Sequence, residues 1–295
     1  MSTVTKERDQ IVANAIREIS HIATLPEITV KVVELVEDPK STAQDLHKVI
    51  SGDPALCSRI LKVVNSSFYG LPGQIGSINR AIVMLGLNAV KNIAIAASLA
   101  KLFRGGDLTP TFSAREIWTH SNLTAAAAKM VANSLRIGLA DEAFLAGLIH
   151  DIGVMVEMQA DRNKLIDVLR RVGADNKGVP ATDMIEAENA VFEANHQEFG
   201  AALCEKWKFP KSFGIVTGFH HKPMEVPTES RTLVAIIHVA DRLAADTGLG
   251  FRQDLLNTNI DADVLDFLKL PAEKVAEIRA TLIAQSKDLS NVLGM

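Results

Sequence analysis

Apolar residues recur at intervals of three and four along almost the whole chain, and nowhere do they alternate for long enough to make a half-buried strand. Ile11, Val12, Ala15, Ile16 and Ile19 mark one helical face; Pro26 sits where the next first turn would begin, and Ile28, Val32, Leu35 and Val36 follow at helical spacing. EDPKS (37–41) breaks the pattern. Ser41 and Gln44 read as a capping box, in which each side chain satisfies a backbone N–H left open at a helix start, ahead of Leu46, Val49 and Ile50. In GDP (52–54), Asp53 is placed to cap and Pro54 to occupy the first helical position, where its missing N–H costs nothing. That helix carries Leu56, Ile60, Leu61 and Val64. After YGLPG (69–73), helices are expected from Ser77 to Leu85 and from Asn88 to Phe103. Phe68 and Tyr69, beside GLPG, form an aromatic loop that either meets a partner or tucks back on the first lobe.

RGGDLTP (104–110) is the strongest breaker and divides the chain into two expected lobes, residues 1–105 and 106–295. Beyond it, helical spacing runs from Ser113 to Ser134, from Asp141 into His150 and Asp151, from Asp161 to Arg171 and from Thr182 to Ala194. Further helices begin near His196, Pro210, Thr232 and Pro271, with a short one from Asp261 to Leu268. No fixed-period repeat or low-complexity tract interrupts them. The expected fold class is all-α, with a first lobe of short packed helices.

Composition agrees. Of the 295 residues 47% are hydrophobic and 22% charged, enough for a real core, while aromatics are only 5% and small aliphatics dominate, which favours helix packed on helix. The balance of 31 Lys plus Arg against 35 Asp plus Glu gives a net charge of −4, with no run of basic residues, so a nucleic-acid partner is disfavoured. Residues 79–99 can be read as helix-turn-helix around Gly86, but the second helix has one lysine among aliphatics and belongs in a core. Cys57 and Cys204 lack metal or disulfide spacing and read as small buried thiols of a reducing compartment. The first twenty residues carry no signal-type apolar run, and Asn92–Leu102 is too short to span a bilayer. A cytoplasmic protein with no membrane contact is expected.

The chemistry lies in the histidines. Five of the eight come in series after the breaker, His120, His150, His196, His220 and His221, accompanied by Asp151 and Asp241. Imidazole and carboxylate are the ligands that zinc and first-row metals prefer, and helical proteins build such sites from one ligand per helix. Adjacent His150 and Asp151 would let the carboxylate bridge two ions, the arrangement that holds and activates a water. A divalent metal is therefore expected, Fe, Mn, Zn or Mg, with room for two ions. Glu116, one turn before His120, is a possible additional ligand; His238, three before Asp241, is either an orienting neighbour behind the ligands or structural. Lone His21 and His47 read as core residues, and Trp118, Trp207 and Phe209 as packing.

In WTHS (118–121), AFLAGLIHDIG (143–153), NHQEFGAALCEKWKFP (195–210), GFHHKP (218–223) and IIHVADRLA (236–244) the chain resembles the HD superfamily of metal-dependent phosphohydrolases. The run from LPEITVKVVELVEDPKS to GLNAVKNIAI is similar to the signature of the HDOD (HD-related output domain) proteins of bacterial signalling, and the resemblance spans residues 20–245. It implies an HD-type helical domain in the second lobe and places the pattern H…HD…D on His120, His150, Asp151 and Asp241. The extra ligands of the two-metal branch fall on His196, His220 and His221, and Asp151 becomes the bridging, catalytic carboxylate if the site is active.

The resemblance implies a signal-transduction module that binds protein partners and leaves oligomeric state open. Many HDOD proteins have lost ligands, whereas this chain keeps a full set, so the alternative, a metal-dependent phosphohydrolase acting on a nucleotide or other small phosphorylated ligand, stands beside it. Two departures count against catalysis. Val154 replaces the lysine of HDIGK that would meet phosphate, and HHKPMEVPTES lacks the glutamate and the GYP of the cyclic-dinucleotide phosphodiesterases. Lys222 and Arg242 are the nearest substitutes for the missing charge.

Overall fold

A computed structural model describes residues 3–19, 25–66, 68–103 and 106–290. His21, the side chain of Val36 and the first two residues of the 104–110 breaker lie outside the described residues. The first half folds as α1 (Thr3–Glu18), α2 (Glu27–Glu37), α3 (Ala43–Ser51), α4 (Pro54–Val64), α5 (Ile78–Leu85) and α6 (Leu87–Leu99), the last running into a 3-10 turn at Ala100–Leu102. Strands β1 (Asp107–Thr109) and β2 (Phe112–Ser113) form an antiparallel hairpin, and then come α7 (Ala114–Leu135), α8 (Ala140–Ile149), α9 (Ile152–Ala160), α10 (Arg162–Val172) and α11 (Met184–Phe192). The chain closes with α12 (His196–Lys206), α13 (Lys211–Phe219), α14 (Thr228–Ala245), α15 (Ala262–Leu268) and α16 (Ala272–Leu289).

The fold is all-α as the spacing requires, and its small departures have local causes. The hairpin is too short to give a period in sequence. At α3 the capping box is one residue later than read: Thr42 Oγ1 accepts the Asp45 N–H at 3.2 Å and the Asp45 carboxylate accepts the Thr42 N–H at 2.9 Å. A carboxylate is the stronger acceptor, and Ser41 instead donates to the Leu35 carbonyl at 2.7 Å. Helix α14 starts four residues before Thr232, directly after Pro227. Asp53 and Pro54 cap α4 as read. His47 is not a core residue; it is half-exposed, 3.2 Å from the Ser51 hydroxyl, and Cys57 is likewise half-exposed.

Helix α7 lies at the centre, packed on α8, α14 and α16, while α12 packs on α13 and α9. Helix α6 is buried from Ala89 to Leu99 between α2, α4 and α8, which rules out groove insertion for the helix-turn-helix-like segment. Further contacts cross between the halves. Helix α1 packs on α12 and α9. The Phe68–Tyr69 loop lies on the second half rather than the first, Phe68 stacking on Phe144 of α8 at 6.1 Å and Lys129 of α7 standing 4.6 Å over the Tyr69 ring. Trp118, Trp207 and Phe209 are core, Trp118 lying against Phe103 at 4.6 Å. Among the described residues one stretch, Ala140–Ala160, is long and apolar enough to cross a membrane by composition, and most of it is buried inside the fold.

Candidate metal centre

The site forms where helices end. The apolar run through 143–158 does not make one helix: α8 stops at Ile149, His150 and Asp151 occupy the kink, and α9 restarts at Ile152. Gly153 sets how close the next element comes, because a Cβ there would meet the His196 carbonyl oxygen at 1.8 Å. Only glycine lets α9 lie against the first residue of α12. His196 is that first residue, behind an Asn195–Glu198 capping box; His220 caps the C-terminal end of α13 and His221 follows it. Mid-helix residues, His120 of α7 and Asp241 of α14, complete the ring. All seven expected residues converge, and six of them are fully buried; His221 keeps 8% of its side chain exposed.

Three of the imidazoles are held from behind. His150 Nδ1 donates to the Gly147 carbonyl at 2.7 Å, His220 Nδ1 to the Thr217 carbonyl at 3.1 Å, and His196 Nδ1 to the Glu188 carboxylate at 2.8 Å. Each bond places the ring proton outward and turns Nε2 inward. The inward atoms then crowd: His120 Nε2 lies 3.3 Å from His150 Nε2, and His196 Nε2 lies 3.1 Å from His221 Nε2. Asp241 Oδ1 is 3.1 Å from His120, while Asp151 places one oxygen 3.2 Å from His150 Nε2 and the other 3.3 Å from His220 Nε2. Neither Asp151 oxygen has hydrogen-bond geometry, and His220 Nε2, Asp241 Oδ2 and His120 Nδ1 are also buried without such a partner.

Facing lone pairs and under-bonded carboxylates repel unless positive charge sits among them. In the bare protein, protons supply it. Burial disfavours the His150 cation, yet Asp151 and Asp241 outweigh burial and hold it well above the usual imidazole range. Burial likewise opposes the Asp151 and Asp241 carboxylates, and the histidines reverse it, keeping both well below the usual range. His196 is raised to about 9, Glu188 overcoming burial, whereas burial and neighbouring histidines depress His220 and, further, His221. A divalent cation fits the same donor set. One group of ligand atoms within 4.8 Å of one another comes from His120, His150 and Asp241, a second from His196, His220 and His221, and a third, joining them, from His150, Asp151 and His220.

Three residues that the spacing left unmarked, Glu188, Glu157 and Asp254, belong to the surroundings, together with Arg242, which was marked only as a substitute charge. Glu188 of α11 holds His196. Buried Glu157 of α9 meets Glu188, and burial with that neighbouring carboxylate raises its carboxyl well above the usual range. Arg242 reaches Asp241, Nη1 to Oδ2 at 3.6 Å, although its neighbourhood in α14 gave it little standing. Asp254 lies fully buried 3.7 Å from His221 Nε2 and shares a ligand group with His221 and Asp241; burial, Asp151 and Asp241 raise its carboxyl well above the usual range. Glu188 and Asp254 stand outside every motif, so no sequence signal marks them.

Glu116 is not in any of these ligand groups: its side chain is half-buried and its carbonyl accepts the Phe251 N–H at 3.0 Å. His238 serves His220 rather than Asp241, donating Nδ1–H to the His220 carbonyl at 2.9 Å. Val154 is fully buried in α9, and the Lys222 side chain is 61% exposed beside Glu225, away from the ring.

The profile of the HDOD domain matches residues 22–223. An uncharacterized protein of Treponema pallidum is 23% identical over 239 residues, which are 81% of this chain and 45% of that protein, so the chain spans about half the length of its curated relative. Among solved structures, an HDOD domain protein of unknown function from Geobacter sulfurreducens superposes with a TM-score of 0.73 at 22% identity, covering 94% of this chain and 98% of that one. A candidate phosphohydrolase from Shewanella amazonensis gives 0.76 at 21%, covering 96% and 98%, and a candidate signal transduction protein from Marinobacter aquaeolei gives 0.76 at 20%, covering 98% and 66%. These structures share the fold.

Proposed function

The chain belongs to the HDOD family, and from that premise we propose that it is a cytoplasmic signal-transduction module that acts through protein partners and carries a divalent-metal site. In this reading residues 1–105 form one lobe and residues 106–295 the lobe that holds the metal. His120, His150, Asp151 and Asp241 would hold one ion, and His196, His220 and His221 a second, with Asp151 near enough to both sets to serve either. The carrying observation is the inward crowding of Nε2 atoms, 3.1 Å between His196 and His221 and 3.3 Å between His120 and His150, with one ring of each pair, His196 and His150, tied down through its Nδ1. Without a cation such a cluster costs several kcal/mol in a dry interior.

The second reading, a metal-dependent phosphohydrolase acting on a small phosphorylated ligand, is favoured by the convergence of the whole ligand set. When bound, paired ions supply a water of lowered pKa and neutralise phosphate charge. The chain's own residues add little beyond that: Val154 is buried, Lys222 points to solvent and Arg242 is committed to the Asn259 and His238 carbonyls beside Asp241, so none of the candidate positions offers a free cationic side chain to a phosphate. That weighs towards a site that stabilises or senses.

Elemental analysis of protein purified without chelator, compared with Asp151→Ala, tests the metal. One to two ions per chain in the first and a clear loss in the second is expected; metal-free wild type, or equal metal in both, overturns it. A phosphoesterase screen with added Mn²⁺, Fe²⁺ or Mg²⁺ then separates the readings, since turnover abolished by Asp151→Ala would establish the second.

A further inference from the structure

The segment between α14 and α15 returns across the site as a strap. Gly250, at φ +80°, passes so near α7 that a Cβ would lie 2.6 Å from the His120 backbone nitrogen. Phe251 donates its N–H to the Glu116 carbonyl and sets its ring edge-on to Phe112, 5.5 Å between centroids. Gln253, almost fully buried, donates to the Thr111 carbonyl at 2.8 Å, and beyond the strap's far side Arg242 Nε donates to the Asn259 carbonyl at 2.9 Å. Between these anchors stands Asp254. Its carboxylate is fully buried, and neither oxygen has a hydrogen-bond partner.

A buried carboxyl can be kept by ionising against a cation or by taking a proton and donating it. Asp254 has neither arrangement in full within the protein: the carboxylates of Asp151 and Asp241 act on it more strongly than the positive charge of His196 and His150, and its oxygens find no acceptor to receive a proton. What it does have is company suited to a metal, with His221 Nε2 at 3.7 Å and Asp241 in the same ligand group. His221 is the ring residue with side-chain exposure, so Asp254 also stands on the side that solvent reaches.

We propose that Asp254 is a further ligand of the site, a strap-borne carboxylate that adds its oxygen beside His221 and Asp241, one residue from each ion's set, and closes the cluster on its solvent side. The inference rests on the metal reading of the cluster. It gives that reading a direction: an outer coordination position is taken by the chain's own oxygen rather than left to a phosphoester, which suits a stabilising or sensing site.

The test uses the full chain, Mn²⁺ alone as probe, and Asp254→Asn, which keeps the shape and removes the charge. Bound Mn²⁺ is measured by equilibrium dialysis, and the thermal midpoint is read with chelator and with Mn²⁺. The variant should lose an ion per chain or bind at least about tenfold more weakly. Its midpoint in chelator should not fall, because the carboxyl it replaces has no hydrogen-bond partner to lose, while the rise on adding Mn²⁺ should shrink. Equal stoichiometry, affinity and Mn²⁺-induced rise in variant and wild type would overturn the inference while leaving the metal reading intact; a wild type that binds no Mn²⁺ would overturn both. Asp254→Ser repeats the measurement should the Asn chain not fold, and Asp254→Glu, which keeps a carboxylate, should recover part of the binding.

Discussion

Glu188 grips His196 by its Nδ1 at 2.8 Å and so leaves Nε2 aimed at the cluster, 3.1 Å from His221 Nε2. The bond fixes both tautomer and ring direction and raises the basicity of the inward nitrogen. Glu188→Gln, which keeps a weaker acceptor, should therefore lower Mn²⁺ or Zn²⁺ affinity by about 10- to 100-fold, read by competition with a chromogenic chelator. An unchanged affinity would mean that His196 does not bind the ion.

Gly153 is required by the approach of α9 to the His196 carbonyl. A methyl group placed 1.8 Å from that oxygen must push α9 and α12 apart. Gly153→Ala is expected to destabilise the chain by about 4 kcal/mol or more and to lose bound metal with it, as urea unfolding and metal content would show.

Among the groups around the site, His238 gives a pH signature. Burial first, then Arg242, lowers it to about 4, so the folded chain keeps it neutral and donating to the His220 carbonyl. Below about pH 6.5 the unfolded chain takes up a proton that the folded one refuses, so the stability contribution is full above that pH and is lost as pH falls towards 4. In chelator, wild type should lose up to about 3 kcal/mol through this group between those limits. Urea midpoints of His238→Gln should fall less steeply over the same window; depressed His220 and His221 leave part of the slope in place. Parallel slopes for the two proteins would contradict the assignment.

Cysteine reactivity checks the core around α12 and α13. Burial pushes the Cys204 thiol up to about 12, its contact with Thr217 only partly offsetting this. A thiol-specific reagent at neutral pH should label half-exposed Cys57 slowly and Cys204 only after denaturation, so mass spectrometry of the native protein should find a single adduct.

Much of the histidine–aspartate ring was legible because its residues sit in short apolar motifs. His150 and Asp151 stand in AFLAGLIHDIG, and Asp241 follows His238 by one helical turn in IIHVADRLA. Glu116 had the same one-turn logic beside His120, yet lies outside the ligand groups, because spacing gives a shared face and not the reach of a side chain. The Phe68–Tyr69 loop could not be placed from sequence, since its partners Phe144 and Lys129 are some sixty residues or more away along the chain.

The sequence by itself determined the all-α class, most helix limits and the identity of seven converging side chains, because periodicity, caps and motifs are local and act within a few residues. The tertiary structure alone decided which atoms face inward, that Glu188 and Asp254 join the site, and that the charge of Lys222 turns away from it. Those outcomes depend on contacts between elements far apart in the chain: α11 behind α12, and the strap after α14 crossing α7. No local pattern records where such an element returns; only packing does.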